Sequence, residues 1–417
     1  MNGKKLSISL INLWCTKNLV DSQCLLGKFL TSGKVEYYTD PYDPAVELVY
    51  LNTCGFISSG REEAIQLKEK LEKKGKKVIP MGCAVKYFEM TKESSPLVAN
   101  LWNQVLAYTD ELNTLFLSET PRALTNLDQG FEYLKIAEGC DNACAFCIIP
   151  KIRGKQRSMP IEKVLTEAQN LVNQGAEELI LIAQDSTRYG TDLYGKPQLF
   201  ELLEQIEQVP GDFHYRVLYL YPDLLTKKQL EKLTHFDKFI PYFDLPFQHI
   251  SSKLLKSMGR YYDEQGIYDL LDFIKSSFST HFIRTNFIVG FPGEKEADHQ
   301  QLINFIKKDY FDNIALFEYH DEPLATSFLF PDKVDDATLH QRFLELRQIV
   351  NQMLLKKQAN LWKSTWGRIQ DITETTLIIR PRLHCPEIDE VVELPFSQLP
   401  TLDKSTLSIG MKISLSS

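Results

Sequence analysis

The sequence predicts an α/β protein in three parts: a small α/β unit, a longer series of βα repeats, and a short all-β unit at the end. Three observations carry this. The length, 417 residues, exceeds what one hydrophobic core ordinarily organises. Apolar strand-like and helix-like runs alternate through the first two parts. After about residue 357 the helical period gives way to short runs separated by Pro, Asp and Ser turns.

In the first part, the apolar patterns predict strand Leu6–Leu13, helix Leu19–Thr31, strand Leu48–Asn52, helix Ser59–Lys74 and strand Lys77–Met81. The stretch Leu112–Gly130 has no clear period and reads as a linker. The middle part predicts six strands, Phe131–Ala137, Glu178–Ala183, Tyr215–Tyr221, Pro241–Leu245, Phe282–Val289 and Asn313–Tyr319, with helices between them. The clearest helix has Ile161, Val164, Leu165, Ala168, Leu171 and Val172 on one face, Ser158 as its N-cap and Gly175 just past its end. Six βα units in series make a parallel sheet covered by helices, either an open doubly wound sheet or an incomplete barrel, and both gather function at the C-terminal strand ends. A long helix from Asp336 to about Lys357 follows. Runs Thr375–Ile379 and Glu390–Leu394 then suggest a small β-barrel.

Composition excludes several classes. Hydrophobic residues at 43% and charged residues at 24% are those of a globular chain, neither disordered nor coiled coil. The start of the chain, with Ser7, Ser9 and Asn12 among its apolar residues, reads as a strand rather than a signal segment. No uncharged apolar run approaches membrane length, and a cytoplasmic protein is expected. A net charge of −8 argues against a surface devoted to phosphate backbones, and the run Lys68–Lys77 is interleaved with Glu, as on a solvated helix.

The eight cysteines carry the chemistry. In a reducing compartment they point to metal or redox use rather than disulfides. Cys140, Cys144 and Cys147 form CxxxCxxC on the loop after the first strand of the βα series. Three thiolates at that spacing can bind three irons of a [4Fe–4S] cubane and leave the fourth open. A structural zinc site is the alternative, but it wants four protein ligands and no second pair lies nearby. Cys15, Cys54 and Cys83 each end a strand of the small unit, so all three could converge on one end of its sheet, as a second three-thiolate site or as buried small residues. Cys24 lies in a helical stretch as a core residue, and Cys385 has no cysteine partner in its unit.

These motifs resemble the methylthiotransferases of the radical S-adenosylmethionine superfamily, and several segments look like the RimO branch, which modifies the twelfth protein of the small ribosomal subunit. The segments are CTKNLVDSQ (Cys15 to Gln23), YLKIAEGC (Tyr133 to Cys140), LIAQDSTRYGTDLYG (Leu181 to Gly195), RVLYLYPD (Arg216 to Asp223), YFDLPFQHIS (Tyr242 to Ser251), MGR (Met258 to Arg260), FIVGFPGE (Phe287 to Glu294) and PEIDE (Pro386 to Glu390). Phe146 fills the aromatic position before the last cysteine of the triplet. Trp14, Met159 and Glu390 depart from the usual pattern.

The resemblance implies an N-terminal cluster domain over residues 1–120, a central partial (β/α)6 TIM-like radical domain over 126–355 and a C-terminal TRAM β-barrel over 357–417. It implies two [4Fe–4S] clusters, on Cys15, Cys54 and Cys83 and on Cys140, Cys144 and Cys147. It further implies S-adenosylmethionine contacts from Phe146, Gln184, Asp185, Val289, Gly290 and Phe291. The implied activity is insertion of a methylthio group at the β-carbon of an aspartate in that ribosomal protein. The implied partners are the ribosomal protein, an electron donor such as a flavodoxin or ferredoxin, and a sulfur donor, with nucleic acid secondary and no membrane.

A related enzyme acting on an adenosine of transfer RNA is the nearest alternative. From Leu361 to Ser417, however, six Lys or Arg stand against seven Asp or Glu, a balance of −1 that favours a basic protein partner. A non-catalytic iron–sulfur or zinc protein is the alternative of another class.

Overall fold

A computed structural model describes residues 5–13, 15–98, 109, 111–112, 114–118, 121–358, 366–398 and 404–414. Trp14 lies outside the described residues.

The first sheet contains β1 (Leu6–Asn12), β2 (Val35–Tyr37), β3 (Leu48–Thr53) and β4 (Lys77–Gly82), all parallel, in the order β2-β1-β3-β4. β3, LVYLNT, is buried along its whole length, as a strand covered on both faces requires. Helices α1 (Thr16–Thr31), α2 (Ser58–Lys73) and α3 (Cys83–Thr91) follow β1, β3 and β4. β2 and α3 were not evident from the apolar pattern, β2 because three residues, two half-buried about an exposed Glu36, are too short to carry a period. The chain reverses direction across the sheet between β1 and β3, and such a switch opens a crevice at the carboxyl ends of the two strands.

The second sheet has β5 (Phe131–Lys135), β8 (Glu178–Ile182), β9 (His214–Val217), β10 (Phe239–Asp244), β11 (Phe282–Val289) and β12 (Asn313–Glu318), with the two-residue strands β6 (Ala137–Glu138) and β7 (Arg157–Ser158) paired antiparallel beside it. All six are parallel, and their order in space is their order in sequence. A doubly wound sheet would reverse; this one is singly wound. Side chains alternate along the strands. Leu134, Leu179, Leu181, Val217, Phe243 and Ile283 pack under the outer helices, whereas Phe131, Tyr133, Ile180, Ile182, Ile240 and Tyr242 face inward, joining the core of the small unit.

Two local expectations are corrected. Ser158 does not cap the helix: it lies in β7, and helix Ile161–Asn173 starts after Pro160, whose fixed φ suits a helix entry. The third strand of the series stops at Val217 instead of Tyr221, because Tyr219 adopts φ +61° and its N–H bonds the Asp244 carboxylate at 2.9 Å instead of continuing the ladder.

The last sheet, β13 (Trp366–Ile372), β14 (Thr376–Pro381), β15 (Val392–Pro395) and β16 (Lys412–Ser414), is antiparallel in the order β15-β14-β13-β16 around Ile369, Leu377, Ile379 and Leu394. It docks under the starts of the central strands. Arg216 is fully buried there, with Nε 2.7 Å from Glu178, while Arg380 reaches the other Glu178 oxygen at 2.8 Å. Arg216 also donates to the carbonyls of Leu383 and Arg382 at 2.8 and 2.9 Å. Tyr133 Oη donates to Glu387 at 2.8 Å and Asn313 to Asp389 at 2.6 Å, so the PEIDE segment closes the base of the second sheet.

Candidate functional site

The three cysteines of the small unit sit where its strands end. Cys54 and Cys83 directly follow β3 and β4, and Cys15, three residues past β1, is the N-cap residue of α1. Their loops are tied by buried amides. Asn52 donates to the Asn18 carbonyl and to Ser22 Oγ at 2.9 Å each, Asn18 donates to the Thr53 carbonyl at 3.1 Å, and Thr53 Oγ1 to the Met81 carbonyl at 2.7 Å. Gly55 is required by close approach, since a Cβ there would lie 2.4 Å from the Cys83 carbonyl. The Cys54 thiol feels both Cys83 and Cys15, and the Cys83 thiol feels Cys15. The structure thus brings Cys15, Cys54 and Cys83 together at the switch point of the first sheet.

Cys140, Cys144 and Cys147 lie between β6 and the short helix Ile149–Arg153. The loop is pinned from three sides. Cys140 N–H donates to the Gly154 carbonyl at 3.1 Å, Ala145 N–H to Met258 at 2.9 Å, and Ser327 N–H to Ala145 at 2.8 Å. Backbone N–H groups of Asn142 and Ile149 point at the sulfurs of Cys140 and Cys147, each at 3.5 Å. Such a frame orients donors without filling their coordination.

Burial pushes the Cys140 thiol up to about 11 and those of Cys147 and Cys54 up to about 12, with neighbouring thiols adding to the effect, and it raises Cys83 as well. Thiols in such surroundings ionise only against a strongly cationic centre. Among the described residues, no three His, Cys, Asp or Glu close around a single ion. A cubane asks for something different, three sulfurs that each face a separate iron. Cys24, by contrast, is buried in the core of the small unit, and Cys385 is buried beneath the central sheet, its N–H donating to Asp389 at 2.7 Å.

Arg153, the last residue of the short helix after the central cysteine loop, reaches the N-terminal set. This guanidinium donates from Nε to Cys83 Sγ at 3.0 Å and from Nη1 to Asp21 at 3.0 Å and Glu138 at 2.9 Å, and it contacts Asn18. Lys135 joins the same buried pair of carboxylates. Arg61 of α2 adds a two-pronged pair to Glu322 at 3.0 and 3.1 Å. Neither Arg153 nor Arg61 stood out in the sequence; Arg153 had only its place six residues after Cys147 as a signal.

The six expected cofactor contacts are placed differently from one another. Phe146 and Phe291 share a small apolar cluster with Ala145, Leu254, Met258 and Ile288 beside the cysteine loop, and Arg260 lies 5.5 Å from the Phe146 ring. Gln184 donates to Glu138 at 2.7 Å, while its buried Oε1 has no partner among the described residues. Asp185 accepts from Asn142 at 2.6 Å and from Thr187 N–H at 3.0 Å, so it braces the cysteine loop. Val289 turns its side chain into the helix-covered core. Gly290 has φ +79°, a Cβ there would meet Leu339 at 2.5 Å, and its N–H is taken by Glu294 at 2.8 Å.

A singly wound parallel sheet with CxxxCxxC after its first strand defines a protein of the radical S-adenosylmethionine class, and the profile of the family described as Radical SAM superfamily matches residues 134–306. A second family, described as Uncharacterized protein family UPF0004, matches residues 7–102. The ribosomal protein uS12 methylthiotransferase RimO of Aquifex aeolicus (strain VF5) is 36% identical over 403 residues, covering 94% of this chain and 92% of the relative. Its namesake in Crocosphaera subtropica (strain ATCC 51142 / BH68) is 36% identical over 412 residues, covering 94% and 93%. The chain belongs to the RimO methylthiotransferase family.

Solved structures share the fold. The radical S-adenosylmethionine methyltransferase TsrM from Kitasatospora setae, with cobalamin and a [4Fe-4S] cluster bound, superposes with a TM-score of 0.53 at 12% identity, covering 75% of each chain. The cobalamin-dependent radical enzyme OxsB gives 0.51 at 12% identity, covering 84% of this chain and 56% of the other.

Proposed function

We propose that this chain is a radical S-adenosylmethionine methylthiotransferase that attaches a methylthio group to the β-carbon of an aspartate in the twelfth protein of the small ribosomal subunit. The observation that carries the reading is the presence of two three-cysteine sets, one after the strands of the small sheet and one in CxxxCxxC after the first strand of the central series, in a chain with full-length relatives of that name. Cys140, Cys144 and Cys147 would hold one [4Fe–4S] cluster and Cys15, Cys54 and Cys83 a second. When bound, the first supplies the electron that cleaves S-adenosylmethionine to a carbon radical, and the second an open thiophilic iron for sulfur. A carbon with a non-acidic hydrogen gives a general base no purchase, so the chain's task is placement rather than proton transfer.

The residues accomplish this in identifiable ways. Asp185 and Asn142 fix the cysteine loop, Gln184 offers a free acceptor, and Phe146 and Phe291 form an apolar wall where an adenosyl group would lie. Gly290 and Val289 would act through backbone only. The singly wound order supports a partial (β/α)6 barrel over residues 126–355, the switch-point sheet a cluster domain over 1–120, and the antiparallel sheet a TRAM barrel over 357–417. The ribosomal substrate implies work in the cytoplasm with a flavodoxin- or ferredoxin-like electron donor and a sulfur donor. Among the described residues no helix is long and apolar enough to cross a membrane.

Mass spectrometry of ribosomal proteins from a strain lacking this chain tests the reading: the methylthio mass should vanish from the small-subunit protein and return on complementation. If the change appears on transfer RNA instead, or if the anaerobically reconstituted protein does not cleave S-adenosylmethionine, the reading fails.

A further inference from the structure

Lys17 is 8% exposed, although a lysine so buried ordinarily has an anionic partner. Its ammonium lies 3.0 Å from the centre of the Tyr219 ring, and no carboxylate among the described residues pairs with it. The acids and amides around it are already committed. Asp21, one helical turn on, is held by Lys135 and Arg153. Asn18 is used by Thr53 and Arg153, and Asp244 by Arg284 at 2.8 Å and by Tyr219 N–H. An aromatic face supplies only part of what a desolvated ammonium needs.

Two further features place this group in the working crevice. Lys17 is two residues from Cys15, in the first turn of α1, where the helix N-terminus also favours an anion. Tyr219 follows the carboxyl end of β9 with φ +61°, a conformation that bulky residues avoid and that surrounding structure must enforce. The lysine therefore bridges the N-terminal cysteine set and the functional end of the central sheet.

We propose that Lys17 receives the side-chain carboxylate of the substrate aspartate, with the ammonium moving from the Tyr219 face into a charge-assisted hydrogen bond. This rests on the functional reading above and assigns it a specificity residue. The β-carbon is bonded directly to the carboxyl carbon, so an ammonium that holds the carboxylate also fixes the carbon to be functionalised, and a neutral amide in place of the acid forfeits the contact.

The test is equilibrium binding, by fluorescence anisotropy on the reconstituted holoenzyme, of a labelled ribosomal-protein peptide carrying the target Asp and of its Asn counterpart. The wild-type chain should prefer the Asp peptide by about 10- to 100-fold, the usual worth of a hydrogen bond to a charged group. Lys17→Met should bind both alike, and Lys17→Arg should restore part of the preference. Equal binding of the two peptides by wild type overturns the inference, as does a preference that survives in Lys17→Met with normal circular dichroism. A failure of the functional reading is distinguishable: wild type would then leave the ribosomal protein unmodified in cells, whichever peptide it prefers.

Discussion

Arg153 Nε donates to Cys83 Sγ across 3.0 Å, linking a residue of the central βα series to a cysteine of the small N-terminal sheet. The same guanidinium is paired with Asp21 and Glu138, so one side chain ties Cys83 to α1 and to the short strand before the central cysteine loop. We expect Arg153→Gln to act in two ways. Removing one member of this buried network should cost about 3–5 kcal/mol of stability, read as a lower melting temperature. Loss of an N–H donor from a ligating sulfur should also shift the N-terminal cluster to lower potential, because the more negative reduced state loses its stabiliser. A redox titration followed by electron paramagnetic resonance checks this, and an unmoved potential would remove Arg153 from that role.

Replacing Cys140, Cys144 and Cys147 together with Ala should remove one cluster and all cleavage of S-adenosylmethionine. Iron analysis should fall by about four atoms from about eight, the content of two cubanes. Cys24→Ala is the control: that side chain is buried in the core of the small unit, so iron content should hold. Iron lost from the control, or retained in the triple variant, contradicts the assignment.

Removing Cys15, Cys54 and Cys83 should separate two activities that the intact protein couples. Methylthio transfer should stop while S-adenosylmethionine cleavage continues, since the central loop keeps its own pins at Gly154, Met258 and Ser327. Transfer that persists in this variant would dissociate the N-terminal cysteines from sulfur delivery.

Glu178 gives a prediction in pH. Burial by itself raises a carboxyl, but the guanidinium groups of Arg216 and Arg380 outweigh it and hold Glu178 below its ordinary 4.5. A lowered folded-state value means the stabilisation is fully present above pH 4.5 and is lost as pH falls below that toward the folded value. Glu178→Gln should therefore cost about 3–5 kcal/mol at neutral pH, by leaving two buried guanidiniums uncompensated. The gap between wild type and variant in thermal unfolding should narrow on acidification. A gap independent of pH would show that the pair does not titrate with folding.

Much of this architecture was legible in the sequence, because buried parallel strands such as ELILI at Glu178–Ile182 are continuous apolar runs between helices. Strand Phe282–Val289 appears with its predicted bounds. The convergence of Cys15, Cys54 and Cys83 followed from their positions after strands. What period analysis missed is what sequence proximity does not encode. The stop at Val217 depends on an Asp244 carboxylate 27 residues on from it, and the Arg153–Cys83 bond spans 70 positions. Lys17 carries no signal in the sequence beyond its place in CTKN; its contact with the Tyr219 ring, with no carboxylate partner among the described residues, belongs to the folded crevice.

The docking of the last sheet has a consequence for biosynthesis. Arg216 needs the carbonyls of Arg382 and Leu383, residues made more than 160 positions later. While the chain is being translated, the base of the central sheet therefore holds a guanidinium that has Glu178 but not yet its two carbonyl acceptors, and water must serve its Nη groups. The inner core closes only when the final segment emerges, so a chain terminated before Arg380 should be an easier target for proteases in limited digestion than its small share of missing mass would suggest.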